Sequence, residues 1–205
     1  MSQSAQKTAG LAGLVLAAGE SSRLGQPKQL VEFRGETLLA HALKLAVAAC
    51  DAGVTVVTGA PDSRVDELLE DDGVRQVPNT DWQQGMGTSI AAGITAMRAQ
   101  PCAGIMLMLC DQPLISPADI EALVSAWRDS PLRPAAAGYR GGAGVPAVFP
   151  VSFVPELAAL TGDTGAKALL RAAAAVSIVD MPAAHLDIDS ADDLQKLENM
   201  ERTRR

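Results

Sequence analysis

The chain has 205 residues, 48% hydrophobic and 20% charged, a composition that suits one compact domain and excludes a disordered chain. Its formal net charge of −7 argues against a nucleic-acid partner, which needs a basic footprint to release phosphate counterions. No apolar stretch reaches the ~20 residues of a membrane helix. Three cysteines without a CxxC pair, and only two histidines, predict a reducing, cytoplasmic setting and no structural zinc.

Residues 1–10 lack the apolar core of a secretory signal and are expected to form a loose, flexible lead-in. The run "AGLVLAA" (12–18) shows no alternation and predicts a strand buried on both faces. "ETLLAHALKLAVAAC" (36–50) predicts a helix, and "GVTVVTG" (53–59) and "VRQVP" (74–78) predict strands. "SIAAGITAMRA" (89–99) places Ile90, Ile94 and Met97 on one helical face. "AGIMLMLC" (103–110) is a further buried strand. In "SPADIEALVSAW" (116–127), Ser116 is the expected N-cap, Pro117 the first helical residue and Asp119 the partner in a capping box. The Gly- and Pro-rich stretch 135–153 interrupts the rhythm and is expected to be a substrate-side excursion or hairpin. A strand at 175–180 and a helix capped by Ser190 complete a single domain spanning 11–200, ahead of a frayed basic tail at 201–205. Strands alternating with helices predict an α/β fold, three layers with a mainly parallel, Rossmann-like sheet.

Directly after the first strand comes "AAGESSRLGQPK". A glycine-rich turn there leaves backbone N–H groups free for an anion, at the carboxyl ends of the strands where ligands bind in open sheets. Arg23 and Lys28 add positive charge, and Ser21 and Ser22 add hydroxyls, so the loop suits a triphosphate. It is not a Walker loop, since five residues rather than four separate Gly19 from Gly25 and "QPK" follows. No G-x-G-x-x-G follows the first strand, so a dinucleotide fingerprint is absent. Asp111 follows an apolar strand and precedes "QP", placing a carboxylate at the same edge of the sheet. In "LDIDSADD", Asp189 and Asp187 are the candidates for a second carboxylate, while Asp192 and Asp193 fit a helix start. Cys110 reads as a buried strand cysteine rather than a nucleophile, and His41 as a packing or surface residue.

"LAAGESSRLGQPKQL" resembles the L-x-x-G-x-S-x-R-(M/L)-G-x-x-K signature of the molybdopterin nucleotidyltransferase-like family, the MobA-like NTP transferases. The likeness extends through "VVTGA", "NTDWQQGMGTSIAAGI", "LCDQPLIS", "GVPAVF" and "LDIDSADDL", and is nearest to the branch that transfers cytidylyl groups to molybdenum cofactor. It implies a nucleotide-diphospho-sugar transferase type of fold. It also implies nucleotide contacts from Leu16, Ala17, Ala18, Gly19, Ser22, Arg23, Gly25 and Lys28, and from Asn79, Gly85, Thr88 and Ser89. Catalytic roles fall to Arg23, Lys28 and Asp111, and Mg2+ ligation to Asp111 and Asp189. The expected reaction moves CMP from CTP to the phosphate of a molybdopterin-type acceptor, with a molybdoenzyme as eventual recipient. CTP is favoured over GTP because "LAAG" stands where guanylyl-transferring relatives carry "LAGG"; in "GVP", on the acceptor side, Val145 stands where relatives carry the histidine of Gly-His-Pro, so no histidine role is carried over. Two alternatives stay open: a sugar or polyol phosphate acceptor, and a non-catalytic cofactor carrier.

Overall fold

A computed structural model describes residues 10–19, 24–69 and 74–203. Among the described residues nine strands are formed: β1 (Leu11–Ala17), β2 (Glu32–Phe33), β3 (Glu36–Thr37), β4 (Val54–Thr58), β5 (Val74–Pro78), β6 (Gly104–Leu109), β7 (Ala135–Tyr139), β8 (Gly142–Pro150) and β9 (Ser177–Asp180). The helices are α1 (Leu38–Ala49), α2 (Ser63–Glu67), α3 (Met86–Met97), α4 (Pro117–Arg128), α5 (Val154–Ala158), α6 (Ala166–Ala172) and α7 (Ala191–Thr203). Apart from Gly10, the expected lead-in lies outside the described residues, as do the last two residues of the tail, and α7 continues through Thr203.

The main sheet has the order β5-β4-β1-β6-β8-β7-β9, and β2 and β3 make a separate ribbon. Only β8 runs against its neighbours in the main sheet, so the sheet is mainly parallel, as predicted. Every residue of β1 is buried, because the strand period of two sends its side chains alternately into two cores. Leu11, Val15 and Ala17 join Met106 and Met108 beneath α1 and α4. Ala12, Leu14 and Leu16 join Ile105, Leu107 and Phe149 beneath α3, α5 and α6. Helices therefore cover both faces, giving three layers.

Local signals set the element ends. The Ser116 hydroxyl accepts from the Asp119 N–H at 3.3 Å, and Asp119 Oδ2 accepts from the Ser116 N–H at 2.8 Å, closing the capping box at α4. Its stripe Ile120, Leu123, Val124 and Trp127 is buried, as are Ile90, Ile94 and Met97 of α3. His41 is a packing residue, its Nε2 donating to the Ile115 carbonyl at 2.9 Å. The Gly- and Pro-rich stretch is a hairpin, but β7 and β8 are full members of the sheet rather than an excursion from it. Arg140 and Gly141, with φ of 50° and 72°, form the tight turn, while Ala147, Val148 and Phe149 are fully buried.

A third, smaller core joins Val31, Phe33 and Leu38 to Ile188 and Leu197, with Leu24, Leu114, Leu186 and Leu194 packed around it. It ties the segment following the first glycine-rich turn to the far end of the chain. Among the described residues, no helix is long and apolar enough to cross a membrane.

Candidate active site

The chain leaves β1, fills one side of the sheet with β4 and β5, then crosses back through α3 to place β6 on the other side of β1. Such a reversal opens a crevice at the carboxyl ends of the two strands, here between Ala17 and Leu109. Gly19 and Asp111 stand at its mouth, each two residues beyond its strand.

The crevice is closed by Lys28, whose ammonium donates to Asp111 Oδ2 at 2.7 Å and to Asp189 Oδ1 at 3.0 Å. Three distant segments thus converge on one charge. The side chains of Lys28 and Asp111 are 9% and 12% exposed, whereas that of Asp189 is 48% exposed. Burial alone works against the charged ammonium, but the Asp111 carboxylate, and then the hydrogen bond to Asp189, outweigh it and hold the Lys28 pKa above the ordinary lysine value. Gly19 permits the approach, because a Cβ there would lie 3.1 Å from Lys28 Cε. Asp189 is delivered by the third core and by a backbone bond, the Ile188 N–H donating to the Asp111 carbonyl at 3.0 Å.

Asp111 Oδ1 is buried and has no hydrogen-bond partner. An orphaned anionic oxygen beside a second carboxylate is a donor set that a hard divalent cation can use. No third His, Cys, Asp or Glu joins the pair to make a ligand cluster among the described residues, so such a cation would depend on phosphate and water for the rest of its shell. Packing around the Asp187 carboxyl, and then the charges of Asp111 and Asp189, raise its pKa above the usual carboxylate range. Burial, followed by the Asp111 charge, pushes the Cys110 thiol up to about 12, so it is no nucleophile at neutral pH.

Two cavities flank the ion cluster. The larger, about 480 Å³, is lined by Leu16, Lys28, Gly85, Ser89 and Asp111 among others. The smaller, about 170 Å³, is lined by Ala17, Thr58, Gly59 and Pro61. Ala18, Gly19 and Trp82 line both. Gly25 turns the chain with φ of 69° toward Lys28. Asn79 lines neither cavity; its Nδ2 donates to the hydroxyls of Thr88 and Ser89, each at 3.0 Å, which pins the loop before α3. Gly85 begins that helix with φ of 113°, and a Cβ there would lie 2.4 Å from the Gly162 backbone. Ser22 and Arg23, expected beside the phosphates, lie outside the described residues.

The sequence reading passed over three residues of the site. Gln112, 3% exposed, donates from Nε2 to the carbonyls of Val145 at 3.2 Å and Ala184 at 2.6 Å, tying β8 and the segment before Asp187 to the end of β6. Its signal was a polar residue directly after Asp111 at a buried strand end. Trp82 sits within the quoted "NTDWQQGMGTS" and needed only to be read as an aromatic wall. Asp163 reaches the larger cavity from a loop between α5 and α6 and carried no local signal.

Comparisons with known proteins bear on this geometry. Nicotine blue oxidoreductase of Paenarthrobacter nicotinovorans is 33% identical over 168 residues, 78% of this chain and 80% of that protein. A probable molybdenum cofactor guanylyltransferase of Bacillus cereus is 32% identical over 105 residues, 51% of this chain and 50% of that protein. The crystal structure of Rv0371c from Mycobacterium tuberculosis superposes with a TM-score of 0.80 at 32% identity, covering 94% of this chain and 98% of that one. A complex of the same protein with manganese gives 0.74 at 30% identity, covering 92% and 97%. The family described as MobA-like NTP transferase domain matches residues 13–182, from β1 past the end of β9. The crevice between β1 and β6, with its lysine and paired aspartates, is thus the candidate site of a nucleotidyltransferase, and the chain belongs to the MobA-like NTP transferase family.

Proposed function

We propose that the protein transfers CMP from CTP to the terminal phosphate of a molybdopterin-type acceptor with release of pyrophosphate, using Mg2+. The observation that carries this reading is the convergence of Lys28, Asp111 and Asp189 at the crevice between β1 and β6. An acceptor phosphate oxygen would attack the α-phosphorus, forming one P–O bond while the bond to the bridging β-phosphate oxygen breaks and pyrophosphate leaves with the electron pair. All reacting groups are anionic, so the protein's work is to align them and neutralise charge. Lys28, Arg23 and the N–H groups of the turn after β1 would hold the triphosphate and stabilise the departing pyrophosphate. Asp111 and Asp189 would hold Mg2+, which when bound offsets phosphate charge and polarises the α-phosphoryl group. Manganese in the Rv0371c complex supports a divalent ion in this role.

CTP is the proposed donor because the Ala18 methyl, which lines both cavities, leaves less room beside the base than a glycine would, and this favours a pyrimidine over a purine. One methyl discriminates by only about 1–3 kcal/mol, so donor choice is to be read from kinetics. A cytoplasmic setting belongs to the same proposal and is supported by the free cysteines Cys50, Cys102 and Cys110. The catalytic unit is taken as 11–200, supported by one sheet that runs from Leu11 to Asp180.

The test is pyrophosphate release from each nucleoside triphosphate with Mg2+, against molybdenum cofactor, sugar phosphates and polyol phosphates. Release with CTP and the cofactor, and a product heavier by CMP, is expected. Release only with a sugar or polyol phosphate would move the acceptor, and cofactor binding without turnover would leave a carrier. Similarity to nicotine blue oxidoreductase carries a second reading as a redox enzyme. Oxidation or reduction of nicotine blue, coupled to an added nicotinamide electron acceptor or donor and without pyrophosphate release, would establish it.

A further inference from the structure

We propose that Lys28 is the resident cation of the Asp111–Asp189 pair, and that a divalent metal enters the pair only when a triphosphate draws the ammonium away. This rests on the nucleotidyltransferase reading above and adds an order of events to it.

The ammonium nitrogen lies 2.7 Å from Asp111 Oδ2 and 3.0 Å from Asp189 Oδ1. A magnesium or manganese ion would sit about 2.0–2.2 Å from carboxylate oxygens, so ion and ammonium cannot occupy the space between these two together. A metal arriving alone must either evict a buried ammonium or settle for Asp111 Oδ1 and water. Eviction is costly because Lys28 is 7% exposed and an ammonium leaving two carboxylates needs another anion. A bound triphosphate is that anion. Lys28 lines the larger cavity alongside Gly85 and Ser89, its stem is flexible, and Gly19 presents no side chain in its way. When the ammonium moves onto the phosphates, both carboxylates are freed as the phosphates supply the ligands the pair lacks. Metal and triphosphate then bind with positive coupling, and by linkage each raises the affinity of the other equally.

The experiment titrates Mn2+ into nucleotide-free protein and follows free Mn2+ by electron paramagnetic resonance. Lys28→Met is expected to bind Mn2+ at least about tenfold more tightly than wild type, since a unit charge a few ångströms away has been removed. Lys28→Arg keeps the charge and is expected to bind as weakly as wild type. Adding Asp111→Asn to Lys28→Met is expected to abolish the gain. Wild type is expected to retain Mn2+ on ultrafiltration only when inorganic tripolyphosphate is present. Should Lys28→Met not fold, Lys28→Gln takes its place. Equal Mn2+ affinity in wild type and the uncharged variants would overturn the exchange, as would retention by wild type without tripolyphosphate at their level. A wild type that turns over CTP alongside such a result would leave the transferase reading standing. Tight Mn2+ binding in Lys28→Met, with no nucleotide turned over by wild type, would uphold the carboxylate site and sink the reaction.

Discussion

Removing one member of the Lys28–Asp111 pair leaves the other as a buried charge whose main partner is gone. Breaking a buried pair costs about 3–5 kcal/mol. For Asp111→Asn the lower end applies, about 3 kcal/mol, because the ammonium keeps Asp189 at 3.0 Å, half in solvent. For Lys28→Met the cost is at least about 3 kcal/mol, since Asp111, 12% exposed, then has neither oxygen engaged by the ammonium. In the double variant no uncompensated charge remains at the pair. Its cost is expected to fall well below the sum of about 6 kcal/mol, toward that of a neutral replacement, a coupling of about 3 kcal/mol or more. Urea unfolding of the four proteins in EDTA, with unchanged m-values, measures this cycle. Additive costs would mean that the two side chains do not meet in the folded protein, and the site geometry would be wrong.

Asp189→Asn, at a half-exposed carboxylate, is expected to cost less than about 1 kcal/mol of stability yet lower pyrophosphate release at least tenfold, which steady-state kinetics and urea melts separate. Gly85→Ala forces a side chain onto φ of 113° and into the Gly162 backbone, and is expected to lose about 2 kcal/mol or more in thermal melts. The thiols of Cys50 and Cys110 ionise near pH 9.0 when unfolded but only near 12 when folded, pushed up chiefly by burial. The unfolded chain therefore holds fewer protons in this window, and stability falls as pH rises above 9, by about 1.4 kcal/mol per pH unit for each thiol. Cys50→Ala is expected to remove one such slope, read from urea melts between pH 9 and 11.

What could be read in the sequence was local. The unbroken apolar run of β1 announced a strand buried on both faces, and Ser116-Pro117 with Asp119 announced the start of α4, because capping chemistry lies within four residues. Asp111 could be placed at a strand end from the strands alone, and Lys28 in the glycine-rich segment that follows β1. The choice of Asp189 over Asp187 followed a family resemblance. Its contact with Lys28 depends on the third core and on the Ile188 N–H reaching the Asp111 carbonyl, contacts between segments too far apart for any periodicity to carry. The stretch 135–153 was legible only in part. Its glycines and prolines pointed to an excursion or hairpin, and a hairpin it is, but that its second strand is held between β6 and β7 depends on distant pairing. Gln112 was hidden because a buried glutamine becomes intelligible only when its two carbonyl partners are known.

The most direct measurement is the anomalous scattering of a crystal grown with CTP and Mn2+. The account predicts one manganese peak bonded to Asp111 and Asp189, with the Lys28 ammonium moved onto the triphosphate. Phosphates bound away from the crevice between β1 and β6, or manganese touching neither aspartate, would contradict it.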